Sequence, residues 1–379
     1  MTSPPIDVIV VGAGIVGASC AWACTRAGLR VAVLEAGGLA EGTTATNMGQ
    51  VLVEDSSPAE FELTRYSARL WAELAPELPA DAECRRIGTV WIATSETELR
   101  LLEQRHRFYR AHDVRSELWD SERLRREEPE LRAGLAGGLL MPDDLVVTAS
   151  PVARLLLARV RAGGGTVEDH TPVRALGPGR VVLADGRHLS ADRIVNAAGV
   201  GAPQLSPGVP VRPRKGHLAY TDARPGLVHH QLIEVAYVGR VLDLRADSIS
   251  FNVQPRPAGE LRIGSSRQLD HWESAVEPGV VEGMFTRATE FLPGLAGAPI
   301  GRVETGLRPA SSDGLPLIGP WPPQEGVWLA TGHEGLGITM SLGTGRLVAD
   351  QLTGRQSDIP IEPYLPRRVS HPTGAVSQT

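Results

Sequence analysis

The sequence has few cysteines, no long apolar run and no excess of positive charge. Three cysteines among 379 residues cannot form a disulfide framework. No apolar run reaches the ~18 residues that a membrane-spanning helix needs, and no basic segment leads into an apolar one near the start. A net charge of −6 gives no sign of a nucleic-acid surface. We therefore expect a cytoplasmic protein with no membrane span and no nucleic-acid partner.

The cysteines are also placed poorly for a metal site. Cys20 and Cys24 lie one helical turn apart among small apolar residues, and Cys84 stands alone. A two-ligand site is conceivable there, but small packing residues are the better interpretation. We predict no metal. With 42% apolar residues, the chain is long enough for two or more domains with their own cores.

The first 35 residues have the order of a dinucleotide-binding unit. An apolar run precedes the motif GAGIVG at 12–17, a helix-like stretch follows, and a second apolar run ends at Glu35. Gly12 allows the tight turn, Gly14 lets a pyrophosphate approach the backbone, and Gly17 lets the helix pack closely on the strand. The helix N-terminus offers N–H groups to phosphates. Glu35 can accept hydrogen bonds from a ribose diol and would repel a 2′-phosphate.

Both an NAD-dependent dehydrogenase and a flavoenzyme can use this motif, and two features favour the flavin. A second glycine-rich turn from a strand to a helix lies at Gly332–Gly337, where a helix N-terminus can face a flavin. Short alternating strands within 211–267 predict an antiparallel sheet that can cover the ring. No second GxGxxG provides an NAD(P)H site. The pattern predicts an α/β nucleotide-binding core joined to an α+β part.

Four segments carry a family resemblance. They are VIVVGAGIVGASCAWACTRAGLRVAVLEA, RIVNAAGVGAPQL, TGLRPASSDGLPLIGP and ATGHEGLGITMSLGTGRLVADQL. Together they resemble the D-amino-acid oxidase family of FAD proteins, which includes glycine oxidase, sarcosine oxidase and D-amino-acid dehydrogenases. Within it, FNVQPRPAGELRIGSSRQ and GHEGLGIT look most like the flavoprotein subunit of D-hydroxyproline dehydrogenases.

The resemblance implies a Rossmann-like FAD-binding domain and an antiparallel-sheet substrate domain. The expected FAD-binding domain is discontinuous, over 1–85, 144–210 and 300–366. The substrate domain would take 86–143 and 211–299, and residues 367–379 would form a loose tail. Because no cysteine follows Cys84, the FAD is expected to be non-covalent.

The resemblance also implies a chemistry. A small amino acid would lose a hydride from Cα to flavin N5, and water would hydrolyse the imine. Arg308 matches the arginine that pairs with the substrate carboxylate, as a guanidinium does with two charge-assisted bonds. Tyr237 matches a tyrosine near that carboxylate; the alternative is a half-buried tyrosine of a sheet with no role in the site. His333 matches a residue near the flavin ring; the alternative is a polar residue that only forms the turn. For Lys215 we expect a position at the surface or a contact with the ribityl chain; a position facing the flavin, where it would assist oxygen reduction, is the alternative.

Cofactor contacts carry over to a larger set of positions. They comprise Gly12, Gly14, Ile15, Val16, Glu35, Ala36, Thr43, Thr44, Asn47, Met48, Gly49, Val173, Ala197, Ala198, Gly199, Arg308, His333, Glu334, Gly335, Leu336, Gly337, Ile338 and Thr339.

The sequence leaves the substrate and the assembly open. D-hydroxyproline or D-proline is the leading substrate expectation, with glycine or sarcosine as the alternative. The chain can also be the flavoprotein subunit of a heteromeric dye-linked dehydrogenase, or form a homo-oligomer. A third hypothesis is that the protein binds FAD without catalysing a reaction.

Overall fold

A computed structural model describes residues 5–236 and 247–369, with two large sheets. In the first, strands β8, β2, β1, β11 and β18 run parallel in that spatial order, and β17 pairs antiparallel with β18. The hairpin partners β10 and β9 extend from β11. With strands numbered in chain order, this sheet contains β1 Ile6–Val11, β2 Val31–Leu34, β8 Thr166–Glu168, β9 Val173–Gly177, β10 Arg180–Leu183, β11 His188–Asn196, β17 Leu317–Pro320 and β18 Val327–Thr331.

The second sheet also has eight strands, ordered β16, β12, β15, β14, β13, β4, β6 and β5. Its neighbours pair antiparallel, except that β13 runs parallel to β4. The strands are β4 Thr89–Ala93, β5 Glu117–Asp120, β6 Gly137–Met141, β12 Val211–Thr221, β13 Gln231–Glu234, β14 Ser248–Pro255, β15 Leu261–Leu269 and β16 Ile300–Ser311. A separate ribbon joins β3 Gln50–Val51 to β7 Leu145–Val146.

The helices cover the sheets. They are α1 Ile15–Arg26, α2 Pro58–Leu74, α3 Glu96–Ala111, α4 Ser121–Glu127, α5 Ala149–Ala162, α6 Ala202–Leu205, α7 Pro278–Phe291 and α8 Gly337–Thr353. Ser57 and Ser95 cap α2 and α3 by accepting hydrogen bonds from backbone N–H groups three residues on. In the part of the chain that is described, no helix is long and apolar enough to cross a membrane.

The main core lies where α1, α5 and α8 pack near the parallel sheet. Most buried residues of helix α1 have small side chains, and Cys20 and Cys24 are among them. A second core lies between the antiparallel sheet and α7, where Phe251 stacks on Phe291 with ring centroids 4.2 Å apart. Each sheet therefore has its own apolar support.

Two expected boundaries differ from the structure. Strand β16 pairs with β12 along its whole length, from the register Thr221–Ile300 to Val211–Ser311. It belongs to the antiparallel sheet, whereas the expected FAD-binding domain included its residues. Motif matching does not see strand pairing, and the domain bounds stay a prediction. The expected loose tail was wrong at its start, because Arg368 pairs with Asp313 at 2.7 Å. Residues 370–379 lie outside the described part.

Candidate functional site

A cavity of about 640 Å³ runs between the two sheets. One end, here called the nucleotide end, is formed by Gly12, Gly14 and Glu35 at the carboxyl ends of β1 and β2. The other, called the arginine end, is formed by Arg308 and Arg267 of the antiparallel sheet, with further side chains from the turn before α8. Ligands in open α/β folds bind outside the carboxyl ends of parallel strands, as here.

Glycines let the protein backbone pack closely at the nucleotide end. Gly12 has φ +107°, and a Cβ there would lie 2.5 Å from the Ala197 carbonyl oxygen. A Cβ on Gly17 would lie 1.9 Å from the carbonyl oxygen of Gly12, so α1 can start against β1 only with glycine there. The start of α1 therefore faces the cavity with no side chain at Gly14, which is the arrangement that binds pyrophosphate.

Glu35 is held in the cavity wall by backbone groups. Its carboxylate accepts hydrogen bonds from the Ala13 N–H at 2.6 Å and the Gly37 N–H at 3.0 Å. A carboxylate has about four acceptor sites, so two such bonds leave others for a ribose diol.

The loop after β2 links both ends of the cavity. The Thr44 hydroxyl accepts a hydrogen bond from the Ile15 N–H at 3.0 Å, at the start of α1. The neighbouring Thr43 hydroxyl donates to the Leu307 carbonyl at 2.6 Å, on the strand that carries Arg308. The loop thus ties the glycine motif to the antiparallel sheet, and the hydroxyl-rich composition makes this possible.

At the arginine end, Arg308 lies across a neighbouring strand. Its Nη1 donates to the carbonyl of Ser266 on β15, with β12 between the two strands. The guanidinium passes over Gly216, where a Cβ would lie 2.3 Å from Nη1. Gly216 is therefore needed for this position of Arg308.

One carboxylate lies among these arginines. Glu334 Oε1 is 3.1 Å from Arg267 Nε and 3.9 Å from Nη1 of the buried Arg214. Burial alone would raise the pKa of the Glu334 carboxyl, but the charges of Arg267, Arg308 and Arg214 lower it to about 2. Glu334 is thus ionised at neutral pH. Its backbone has φ +46°, which directs the chain from β18 into the turn before α8.

His333 is buried beside Glu334, and its ring Nε2 shares a hydrogen bond of 2.9 Å with the Thr344 hydroxyl. Burial lowers the pKa of His333 to about 3. The ring is neutral at physiological pH, so it is suited to shaping the wall rather than to carrying a proton.

Most predicted contacts lie in the cavity wall. Those that line it are Gly12, Gly14, Ile15, Val16, Glu35, Ala36, Thr43, Thr44, Asn47, Met48, Val173, Ala197, Ala198, Gly199, Arg308, His333, Glu334, Gly335, Gly337 and Ile338.

Three predicted contacts do not line it. Gly49 has φ +70° and turns the chain against the Val147 carbonyl. Leu336 packs into neighbouring apolar clusters, and the Thr339 hydroxyl donates to the Gln50 carbonyl. Adjacent residues in a turn point in different directions, which explains why these three do not line the cavity. Their contact with FAD stays a prediction.

Two further expectations have other outcomes. Tyr237 lies outside the described residues. Lys215 was expected at the surface or the ribityl chain, and this was wrong. It is 1% exposed and its Nζ bonds Glu277 at 2.6 Å. Since side chains alternate along a strand, Lys215 points to the face opposite Gly216, which lines the cavity.

Arg267, Gly216 and Ser265 also line the cavity, and the sequence analysis did not predict them. Alternation of side chains along β15 could have shown that Ser265 and Arg267 lie on the same face of the sheet. Which face meets the cavity follows only from the pairing of β12, β15 and β16.

The cavity fits FAD. The glycine cradle and Glu35 suit the adenosine diphosphate half, while the turn before α8 and Met48 can hold the flavin half. Of the cysteines, Cys20 and Cys24 are buried in α1 and Cys84 is half-buried, and none lines this cavity in the described chain. Non-covalent attachment stays a prediction.

Comparison with known proteins finds relatives that match nearly the whole chain. The glycine oxidase of Bacillus licheniformis is 28% identical over 360 residues, covering 92% of this chain and 93% of the relative. The hydrogen cyanide synthase subunit HcnC of Pseudomonas aeruginosa is 28% identical over 432 residues, covering 98% of both. The crystal structure of glycine oxidase from Geobacillus kaustophilus superimposes with a TM-score of 0.84 at 25% identity, covering 96% of this chain and 98% of that one.

The sequence profile of the FAD dependent oxidoreductase family, DAO, matches residues 7–351, which is nearly the whole described chain. Both the predicted family and the predicted fold class are confirmed. This chain belongs to the DAO family of FAD-dependent oxidoreductases and is an FAD enzyme.

Proposed function

We propose that the protein oxidises a small amino acid with a free carboxylate. The position of Arg308 carries the proposal: its guanidinium lies in the wall of the FAD cavity, held over Gly216. A guanidinium can bind a carboxylate with two parallel charge-assisted hydrogen bonds. An amino acid anchored this way presents its Cα and amine to the interior of the cavity.

The surrounding residues favour hydride removal without a protein base. When bound, FAD supplies the redox chemistry by accepting a hydride from the substrate Cα. The neutral His333 and the ionised Glu334 are the titratable neighbours in the turn, and neither has a pKa near 7. The chain's contribution is then to orient the Cα–H bond and to exclude water.

Two substrate groups are in view. Glycine is supported by the relative from Bacillus licheniformis and the neighbouring structure from Geobacillus kaustophilus, which are both glycine oxidases, and sarcosine is kept beside it as the alternative. D-hydroxyproline or D-proline is supported by the resemblance of the segments around β14, β15 and the turn before α8. Both groups share one carboxylate and one amine, as the Arg308 site requires.

Anaerobic titration tests the proposal. Pure protein should show a flavin spectrum, and glycine, sarcosine, D-proline and cis-4-hydroxy-D-proline should be added separately without oxygen. At least one should bleach the flavin. A bound flavin that none of a wider panel of small amino acids reduces would remove the proposal.

Arg308→Ala should weaken substrate binding by about 2–4 kcal/mol, or roughly 30- to 1,000-fold in Kd. FAD content checks that the site is intact, and Arg302→Ala on the same strand is the control for loss of an arginine. Unchanged affinity in Arg308→Ala would take Arg308 out of the substrate site.

Partner subunits are a second proposal. HcnC is named as a subunit, and its match covers 98% of this chain and 98% of HcnC. Sizing of the complex purified from the native host distinguishes a heteromer or a homo-oligomer from a lone chain, and full turnover by a monodisperse single chain would count against a required partner.

A further inference from the structure

The turn before α8 places a negative charge in the wall of the cavity, beside the arginines. Glu334 and Arg267 both line the cavity, and their side chains are 9% and 3% exposed. They form an ion pair of 3.1 Å between Oε1 and Nε. A buried pair in a cavity wall interacts with a ligand far more strongly than a solvated surface pair does.

Arg308 and Arg267 are held close by the sheet. Arg308 Nη1 bonds the carbonyl of Ser266, the residue before Arg267. Glu334 also lies within the field of Arg308, whose charge is one of those that lower the pKa of its carboxyl. If the substrate carboxylate binds Arg308, as the proposed function has it, the Arg267–Glu334 pair is in the same stretch of cavity wall. Whatever group extends in that direction meets the charge of Glu334.

We propose that Glu334 sets the charge selectivity of this site, admitting amino acids with one carboxylate and rejecting those with a second. The inference rests on the proposed function and adds a specificity-determining residue to it. The carboxylate of Glu334 lies beside Arg267, in the position that a second carboxylate of the substrate would otherwise take.

The physical reason is repulsion between like charges in a confined space. A second carboxylate would have to displace the ionised Glu334 from Arg267 or lie within a few ångströms of it, which is unfavourable where water is scarce. A neutral substituent has no such penalty. In Glu334→Gln the repelling charge is gone while the guanidinium of Arg267 keeps its charge, so a second carboxylate gains a favourable interaction.

Binding of two simple acids to the FAD-loaded protein tests this without turnover. Acetate carries one carboxylate and malonate two, and each can be titrated through the change in flavin absorption. The ratio of the malonate Kd to the acetate Kd should fall at least tenfold in Glu334→Gln. Sarcosine and iminodiacetate share a secondary amine, and their kcat/KM ratio should shift at least tenfold towards iminodiacetate.

Two further variants make the result decisive. Glu334→Gly suits the positive φ of this position, so it serves if the glutamine variant fails to fold or to hold FAD. Glu41→Gln removes a carboxylate from the loop after β2 that lines the same cavity, and its acid ratio should match wild type.

The outcomes separate the alternatives. A ratio within twofold of wild type in the Glu334 variants overturns the proposal, as does an equal shift in Glu41→Gln. Loss of sarcosine turnover with an unchanged acid ratio would assign Glu334 to the amine and also overturn it. If no amino acid bleaches the flavin while the acid ratio shifts, the proposed function fails and the charge selectivity stands.

Discussion

At the arginine end, a residue without a side chain determines where the guanidinium of Arg308 lies. Gly216 has no side chain, yet it decides where the guanidinium of Arg308 lies, because a Cβ would come within 2.3 Å of Nη1. The guanidinium is the flexible end of a long side chain, so it would move while the strand stays in place. Gly216 is thus a positioning residue for the carboxylate anchor.

Gly216→Ala should raise the acetate Kd about 10- to 100-fold, because a charge-assisted bond loses its geometry. The effect should vanish when Arg308 is already alanine, which a double-mutant cycle measures. Gly301→Ala is the control, since its Cβ would meet the Tyr220 carbonyl at an ordinary 3.5 Å. Equal losses in both glycine variants, or full additivity with Arg308→Ala, would contradict the positioning role.

At the scale of elements, the close approach of α1 and α8 supports the nucleotide end. Gly345 of α8 faces the backbone of Ser19 on α1, and a Cβ there would lie 2.4 Å from the Ser19 carbonyl oxygen. The Ser19 carbonyl oxygen belongs to the backbone and cannot turn aside as a flexible side chain would. A methyl group at position 345 would therefore push the two helices apart. The two helices also carry the two glycine-rich turns, which links their packing to the cavity.

Gly345→Ala should lower the free energy of unfolding by about 1–3 kcal/mol through overpacking. Gly279→Ala lies on α7 with open space around its Cβ and should be neutral or stabilising by up to ~1 kcal/mol. Urea unfolding of both variants measures the difference. A Gly345 variant as stable as the Gly279 variant would show that the helices can separate without cost.

At the scale of the whole molecule, buried ionisable groups make stability depend on pH. Burial lowers the pKa of His333 from 6.5 to about 3, so the unfolded chain binds a proton between these pH values and the folded chain does not. Stability from this group is present above pH 6.5 and is lost as pH falls towards 3. Burial raises the pKa of Glu54 to about 8. Its effect on stability has the opposite dependence on pH: above pH 4.5 the carboxyl ionises in the unfolded chain but not in the folded one, which favours unfolding as pH rises.

His333→Gln should therefore have a shallower loss of stability on acidification. Wild type should lose about 1–2 kcal/mol more than the variant between pH 7 and pH 5, with Glu54 common to both. Urea unfolding at several pH values measures the two slopes. Parallel slopes would mean that His333 can take up a proton within the fold.

The sequence by itself determined the nucleotide end, because its chemistry depends on local spacing. Gly12, Gly14 and Glu35 follow one another within one strand–helix–strand unit. The starts of α2 and α3 depend on local spacing in the same way, through their serine caps. Arg308 was indicated by the resemblance of its segment to the family.

Only the tertiary structure decided the arginine end. Gly216, Arg267 and Arg308 come from three strands that are far apart in the chain and meet through long-range pairing. That pairing places β16 in the antiparallel sheet and turns Lys215 away from the cavity. No local pattern contains the register between distant strands, and a shift of one residue reverses every side chain.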